Sequence, residues 1–189
     1  SVRVRAFSPI IPYDLKNSNL PTMLYVITVK NDLRAPVSVA TTFSFENTVG
    51  VGGNFAKGEF SDRTGNTVKT LAPKNGLFGM EMKRPARQIN DPTTRLEYNA
   101  NGDYTLLAAP PTPDSVVTTA SWNSLENNGE LWEKFKSMGE ISGECGAGME
   151  SKVHPTAAIS MKCQLNAGQS VTFPIAIGWY TPRQFVLGD

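Results

Sequence analysis

The stretch VSVATTFSF, residues 37–45, decides the fold class. Every second residue is β-branched or aromatic, which gives an extended chain one apolar face. That face consists of Val37, Val39, Thr41, Phe43 and Phe45. The preceding stretch MLYVITV, residues 23–29, is too short and too β-branched for a helix, and an Asn31-Asp32 turn signal separates the two. The pattern predicts an antiparallel hairpin whose apolar faces bury against a second sheet.

A second strand–turn–strand unit lies near the end of the sequence. AAISMKC, residues 157–163, leads through an Asn-Ala-Gly turn to VTFPIAIGW, residues 171–179. Pro174 interrupts the second stretch and predicts a sheet edge or a bulge, because proline cannot donate to a ladder. Weaker strands are predicted around residues 68–71, 76–82, 104–109 and 116–120.

One segment has the spacing of a helix. In ELWEKFKSM, residues 130–138, the apolar residues recur at helical intervals, and Gly139 stands where a C-cap belongs. We predict a short helix across a sheet edge or end.

Long polar loops are predicted at residues 50–65, 86–103 and 143–155, and such loops are commonly functional or disordered. The sequence therefore predicts an all-β protein: one antiparallel β-sandwich domain over residues 1–189, supersandwich-like, with one short helix and long loops.

Composition excludes several partners. Of 189 residues, 18 are Lys or Arg and 17 are Asp or Glu, so no basic stripe is available for nucleic acid. No apolar run could span a bilayer and no signal-peptide pattern is present, which leaves the compartment unassigned. The opening SVRVR already alternates like a strand, and we expect a cut inside a longer protein. Cys145 and Cys163 are expected to be unpaired thiols, with a disulfide as the alternative.

The sequence predicts no catalytic, cofactor-binding or metal-binding residue. His154 is the only histidine; it precedes Pro155 in a Gly-rich loop, and no G-x-S-x-G elbow accompanies it. A structural or solvated role is expected for it. One histidine and two separated cysteines do not make a metal set. The glycine-rich residues 50–58 lack the G-K-[ST] ending of a phosphate loop.

Tryptophans offer the one candidate contact with carbohydrate. Trp132 fits the apolar face of the predicted helix and Trp179 ends a buried strand, so both are expected in the core. Trp122 is the tryptophan expected to be exposed, where its ring could stack on a sugar.

Several motifs together resemble a known family. AFSPIIPYD at residues 6–14 is followed by SNLP at 18–21 and by a strand that ends in Lys30-Asn31. Further matches follow in order: FENTVG at residues 45–50, GELWEKF at 129–135, and LNAGQS through WYTP at 165–182. The chain is similar to the amino-terminal domain of glycoside hydrolase family 116, the bile-acid β-glucosidase and non-lysosomal glucosylceramidase-like proteins. The prolines of the first motif indicate a rigid turn between strands.

The resemblance implies a role without catalysis. In that family the sandwich precedes an (α/α)6 barrel holding the nucleophile and acid/base of a retaining β-glucosidase. That barrel is absent here, so its catalytic residues have no counterparts. We expect a domain inactive alone that packs on the barrel and shapes the active-site rim with residues 50–65 and 143–155. Carbohydrate or glycolipid is the expected ligand class. The alternatives are a free-standing carbohydrate-binding module using Trp122 and a structural or adhesive sandwich.

Overall fold

The computed structural model describes residues 1–49, 65–84, 102–123, 128–141 and 154–180. Within these ranges the chain forms nine strands and two helices. Their bounds are β1 (Val2–Phe7), α1 (Leu15–Ser18), β2 (Thr22–Lys30), β3 (Val37–Glu46), β4 (Thr67–Lys74), β5 (Leu77–Arg84), β6 (Gly102–Ala108), β7 (Val116–Asn123), α2 (Asn128–Met138), β8 (Pro155–Leu165) and β9 (Ser170–Tyr180).

Two antiparallel sheets are stacked face to face. The larger has six strands in the order β1-β2-β9-β6-β5-β4, and the smaller has three in the order β3-β8-β7. Each neighbouring pair runs antiparallel. The predicted all-β, antiparallel sandwich is thereby confirmed, as are the four weaker strands, which correspond to β4 to β7.

The predicted hairpin between the first two apolar stretches is wrong. β2 pairs with β1 and β9 in the larger sheet, whereas β3 pairs with β8 in the smaller one. The six residues between them carry the chain from one sheet to the other, and Asn31 fixes this crossing. Its buried amide nitrogen donates to the carbonyl oxygens of Ala35 at 2.8 Å and Leu165 at 3.1 Å. The crossing is therefore held by a side chain rather than by a hairpin ladder.

β8 and β9 cross between the sheets in the same way, and Pro174 does not mark an edge or a bulge. β9 lies inside the larger sheet with β2 and β6 on either side. The Pro174 carbonyl accepts from the Ala109 amide at 3.3 Å, just after β6 has ended at Ala108. The nitrogen and the carbonyl oxygen of a strand residue point to the same neighbouring strand. The Pro174 nitrogen, which carries no hydrogen, therefore faces the end of β6, where no ladder hydrogen bond is lost.

The core lies between the sheets and is built from alternate residues. Phe173, Met80 and Leu106 point inward from the larger sheet, and Ile159 and Met161 meet them from β8. All five are fully buried. Each such side chain contributes about 1.5–3 kcal/mol relative to an exposed one.

The second helix covers the outer face of the smaller sheet. Ala120 and Ala158, which are register partners, point away from the main core and form a second cluster with Leu131 and Phe135 of α2. Gly139 ends the helix at φ +66°, and its amide donates to the Phe135 carbonyl at 2.7 Å, as the predicted C-cap requires. The helix is confirmed, but it lies on a face rather than across a sheet edge or end.

β1 forms an exposed edge of the larger sheet. Each of its six residues is exposed, including Val2 and Val4, which pair with Val29 and Ile27 of β2. Valines on an edge invite pairing with other chains, and charged residues between them oppose it. Arg3 and Arg5 supply those charges here.

Candidate functional site

The strand ends next to the gaps between the described ranges all lie at one end of the sandwich. β3, β5, β7 and β9 end there, and β4, β6 and β8 begin there, as their registers show. We call it the loop-bearing end. The predicted rim loops, residues 50–65 and 143–155, lie almost wholly outside the described residues; β3 ends shortly before the first, and β8 begins at the end of the second.

Asn47 joins the two sheets at the loop-bearing end. It follows the last residue of β3 and is fully buried. Its amide nitrogen donates to the carbonyls of Thr67 at 2.9 Å and Lys83 at 3.1 Å, which belong to β4 and β5. Its side-chain oxygen accepts from the Val49 amide at 3.2 Å. Its own amide donates to the Pro155 carbonyl at 2.7 Å. One side chain thus fixes the ends of β3, β4 and β5 relative to one another.

His154 lies beside Asn47, at the start of β8. Its Nδ1 stands 2.9 Å from Oε1 of Glu46, and both side chains are half-buried. Its backbone amide donates to Oδ1 of Asn123 at 3.0 Å, and its carbonyl accepts from Thr156. These contacts tie β8 to the ends of β3 and β7. A structural role is the simplest account of them.

A cysteine–histidine dyad is ruled out for Cys163. Cys163 lies nine positions after His154 along β8, which is about 30 Å of extended chain. The Cys163 thiol is free and buried in the core, and that burial raises its pKa. Cys145 lies outside the described residues.

Neither a metal site nor a membrane-spanning helix is found in the part of the chain that the structure describes. Among the described residues, no group of three His, Cys, Asp or Glu side chains could hold a metal ion. Neither of the two helices that the structure describes is long and apolar enough to cross a membrane.

The tryptophans are arranged differently from the prediction. Trp122 is only 7% exposed and packs beneath α2 with Ile141, so its expected exposure is wrong. Trp132 is 59% exposed, because α2 contacts the sheet through Leu131 and Phe135. Trp179 is also partly exposed, since it follows Ile177, the last residue of β9 within the core. Carbohydrate contact by Trp122 remains a prediction, and its burial disfavours it.

The connection between β1 and β2, residues 8–21, stands out at the loop-bearing end. We call it the apolar finger. Five of its large apolar side chains are exposed: Ile10, Ile11, Tyr13, Leu15 and Leu20. The prolines of this segment predicted a rigid turn, but not its exposed apolar side chains. The available signal was the run of large apolar residues among three prolines, with neither strand nor helix periodicity.

Hydrogen bonds hold the finger in one conformation. Ser18 Oγ accepts from the Ile11 amide at 2.7 Å and donates to its carbonyl at 3.0 Å. Asp14 caps α1 by accepting from the Asn17 amide at 3.0 Å, which lowers the pKa of the Asp14 carboxyl. Because that pKa is depressed, the cap is fully formed at neutral pH and is lost only as the pH falls through it. The Pro21 carbonyl accepts from the Trp179 amide at 2.9 Å, which anchors the finger beside β9.

These observations define a class: an antiparallel β-sandwich with a helix on one face and most of its connections at one end. A family model described as beta-glucosidase 2, glycosyl-hydrolase family 116 N-term, matches residues 1–186. The chain therefore belongs to this amino-terminal domain family of glycosyl hydrolase family 116. The resemblance noted in the sequence is confirmed.

Proposed function

We propose that this chain is the non-catalytic amino-terminal domain of a β-glucosidase. In this proposal it packs against the catalytic domain of the same protein and shapes the rim of the active site. Membership of the family supports the assignment as an amino-terminal domain, because the family is described as the amino-terminal portion of a β-glucosidase. The parent enzyme would cleave β-linked glucose from a lipid or another aglycone.

The observation that carries the rim proposal is the placement of the connections. The strand ends that flank residues 50–64 and 85–101 lie at the loop-bearing end, and β8 begins there after residues 142–153. Asn47 and the His154–Glu46 pair hold those ends in fixed positions. A rigid scaffold that presents several connections on one side is the usual arrangement for loops that contact a ligand or another domain. The opposite end has only short connections, such as residues 75–76 between β4 and β5.

The first test is activity. The 189-residue chain alone is expected to give no turnover of an aryl β-glucoside, because the proposal assigns the nucleophile and the acid/base to another domain. The positive control, assayed in parallel, is the parent enzyme with this domain and its catalytic domain in one chain, which we call the two-domain enzyme. Hydrolysis by the isolated chain above the rate of a heat-denatured sample would contradict the proposal.

The second test concerns the rim. In the two-domain enzyme, residues 50–64 are replaced by a short Gly-Ser linker, and the matched control lengthens the Asn75-Gly76 turn at the opposite end. We expect the first change to alter kcat/KM for a glucoside with a large lipid aglycone by about tenfold or more. The control is expected to leave that ratio unchanged. Equal kinetics for both variants and the wild type would rule out a rim role for this loop.

A further inference from the structure

We propose that the apolar finger is the surface through which this domain docks onto its catalytic domain. This inference rests on the proposed function and adds to it the residues that make the contact. Four observations lead to it: exposure of large apolar side chains, a rigid and strained backbone, charge, and the path of the chain.

The first observation is the amount of apolar surface that the finger presents to solvent. Ile10 is 83% exposed, Leu15 is 77% exposed and the Tyr13 side chain is fully exposed. Leu20 and Phe7, at the base of the finger, are about half exposed. Single exposed apolar residues need no explanation, but several of them on one short segment indicate an interaction site.

The second observation is that the backbone holds these side chains outward. The paired bonds between Ser18 and Ile11, the Asp14 cap and the prolines fix the segment before any partner arrives. Tyr13 adopts φ +64°, a left-handed conformation that is unfavourable for a bulky residue. Such strain persists at positions where the surroundings demand it, and it is concentrated at ligand and partner contacts. A surface ordered in advance loses less conformational entropy on binding.

The third observation is charge, which identifies the kind of partner. Asp14 and Lys16 are the only charged side chains between residues 8 and 21, and they cancel. A neutral finger has no electrostatic attraction for nucleic acid or for an anionic membrane surface. It suits an apolar recess on another folded domain.

The fourth observation is the path of the chain, which favours one occupant. β9 ends at Tyr180, and the preceding residue, Trp179, donates its amide to Pro21 at the base of the finger. Trp179 is 36% exposed and Tyr180 is 62% exposed. The chain leaves β9 beside the finger, so a domain joined after β9 is tethered within reach of it. Its high effective concentration would favour it over a second copy of this chain.

The test compares two double variants in the two-domain enzyme. Ile10→Asp with Leu15→Asp places charges on the finger, and Leu33→Asp with Val116→Asp places charges on exposed apolar residues at the opposite end. We expect the finger variant to undergo irreversible thermal inactivation about tenfold faster than the wild type, because charges in an apolar recess oppose docking. The control variant should match the wild type. In the isolated 189-residue chain, the finger variant should keep the wild-type unfolding midpoint, since both side chains face solvent.

The outcomes separate this inference from the proposed function. If calorimetry of the wild-type enzyme shows two domains that unfold independently, both ideas fail. If the domains stabilise each other but the finger variant behaves like the control, the finger is not the contact and the proposed function stands. If the finger substitutions instead abolish self-association of the isolated chain, or its sedimentation with phosphatidylcholine–phosphatidylserine vesicles, the occupant is wrong and the inference is overturned.

Discussion

At the scale of single residues, two asparagines explain part of the family signature. Asn31 and Asn47 stand directly after β2 and β3, at opposite ends of the sandwich. Each is buried, donates through its amide nitrogen to carbonyls of other elements, and accepts from an amide two residues later. Only a side chain with both a donor group and an acceptor can do this. These positions of the signature therefore serve the fold rather than chemistry.

Replacement of Asn47 tests this account. Asn47→Ala leaves the carbonyls of Thr67 and Lys83 without their donor, and we expect a loss of about 2–3 kcal/mol in the free energy of unfolding. Asn47→Asp keeps the shape but sets a carboxylate against two carbonyls, so it should cost more, about 3–5 kcal/mol. Ser44→Ala, at an exposed position of β3, is the control and should cost less than about 0.5 kcal/mol. Urea unfolding measures all three. Equal stability of Asn47→Ala and the control would contradict the role of Asn47.

At the scale of elements, the sequence predicts strands well and their partners poorly. Period-2 alternation reports which face of a strand is apolar, and the strands it predicted are present. It carries no information about which strand lies alongside. The chain crosses between sheets after β2 and again after β8, so the predicted hairpin is wrong and the second strand–turn–strand unit also spans the two sheets. The deciding contacts, such as Asn31 with Leu165, join residues far apart in the sequence.

The second helix shows that a sequence pattern also leaves open which side chains of an element are buried. Helical spacing correctly predicted α2 but left its rotation open, because Leu131, Trp132 and Phe135 all fit one broad apolar face. In the structure Leu131 and Phe135 face Ala120 and Ala158, so Trp132 is turned outward. The same packing buries Trp122, which disfavours the sugar contact predicted for it.

A pair of tryptophan substitutions distinguishes the two environments. Trp122→Ala should lower the free energy of unfolding by about 3–5 kcal/mol, because it leaves a cavity under α2. Trp132→Ala should change it by less than about 0.5 kcal/mol. The two proteins are compared by urea unfolding followed by circular dichroism, which does not depend on the tryptophan removed. The reverse order of stabilities would mean that α2 is rotated relative to this structure.

At the scale of the whole molecule, the sandwich closes over its inner faces as one unit. Cys163 lies on β8, the middle strand of the smaller sheet, and points into the core that both sheets share. A reagent can reach the thiol only when the sheets separate, so the reactivity of Cys163 reports on opening of the sandwich.

Thiol labelling therefore measures that opening. In a Cys145→Ser variant, which removes the other thiol, we expect Cys163 to react with a disulfide reagent at neutral pH at least about a hundredfold more slowly than in denaturant. Burial raises its pKa, so the reactive thiolate is scarcer than for a free thiol at the same pH. Labelling of the native protein as fast as that of the unfolded protein would show that the two sheets do not form a closed core.

The loop-bearing end has a consequence for engineering. The ladders and the core lie within the described strands, whereas residues 50–64 and 85–101 come after the ends of β3 and β5. Asn47 separates the two regions, since it fixes the strand ends whatever sequence follows. We therefore expect that other peptides can replace residues 50–64 or 85–101 while the sandwich still folds. Substrate preference could then be varied independently of folding.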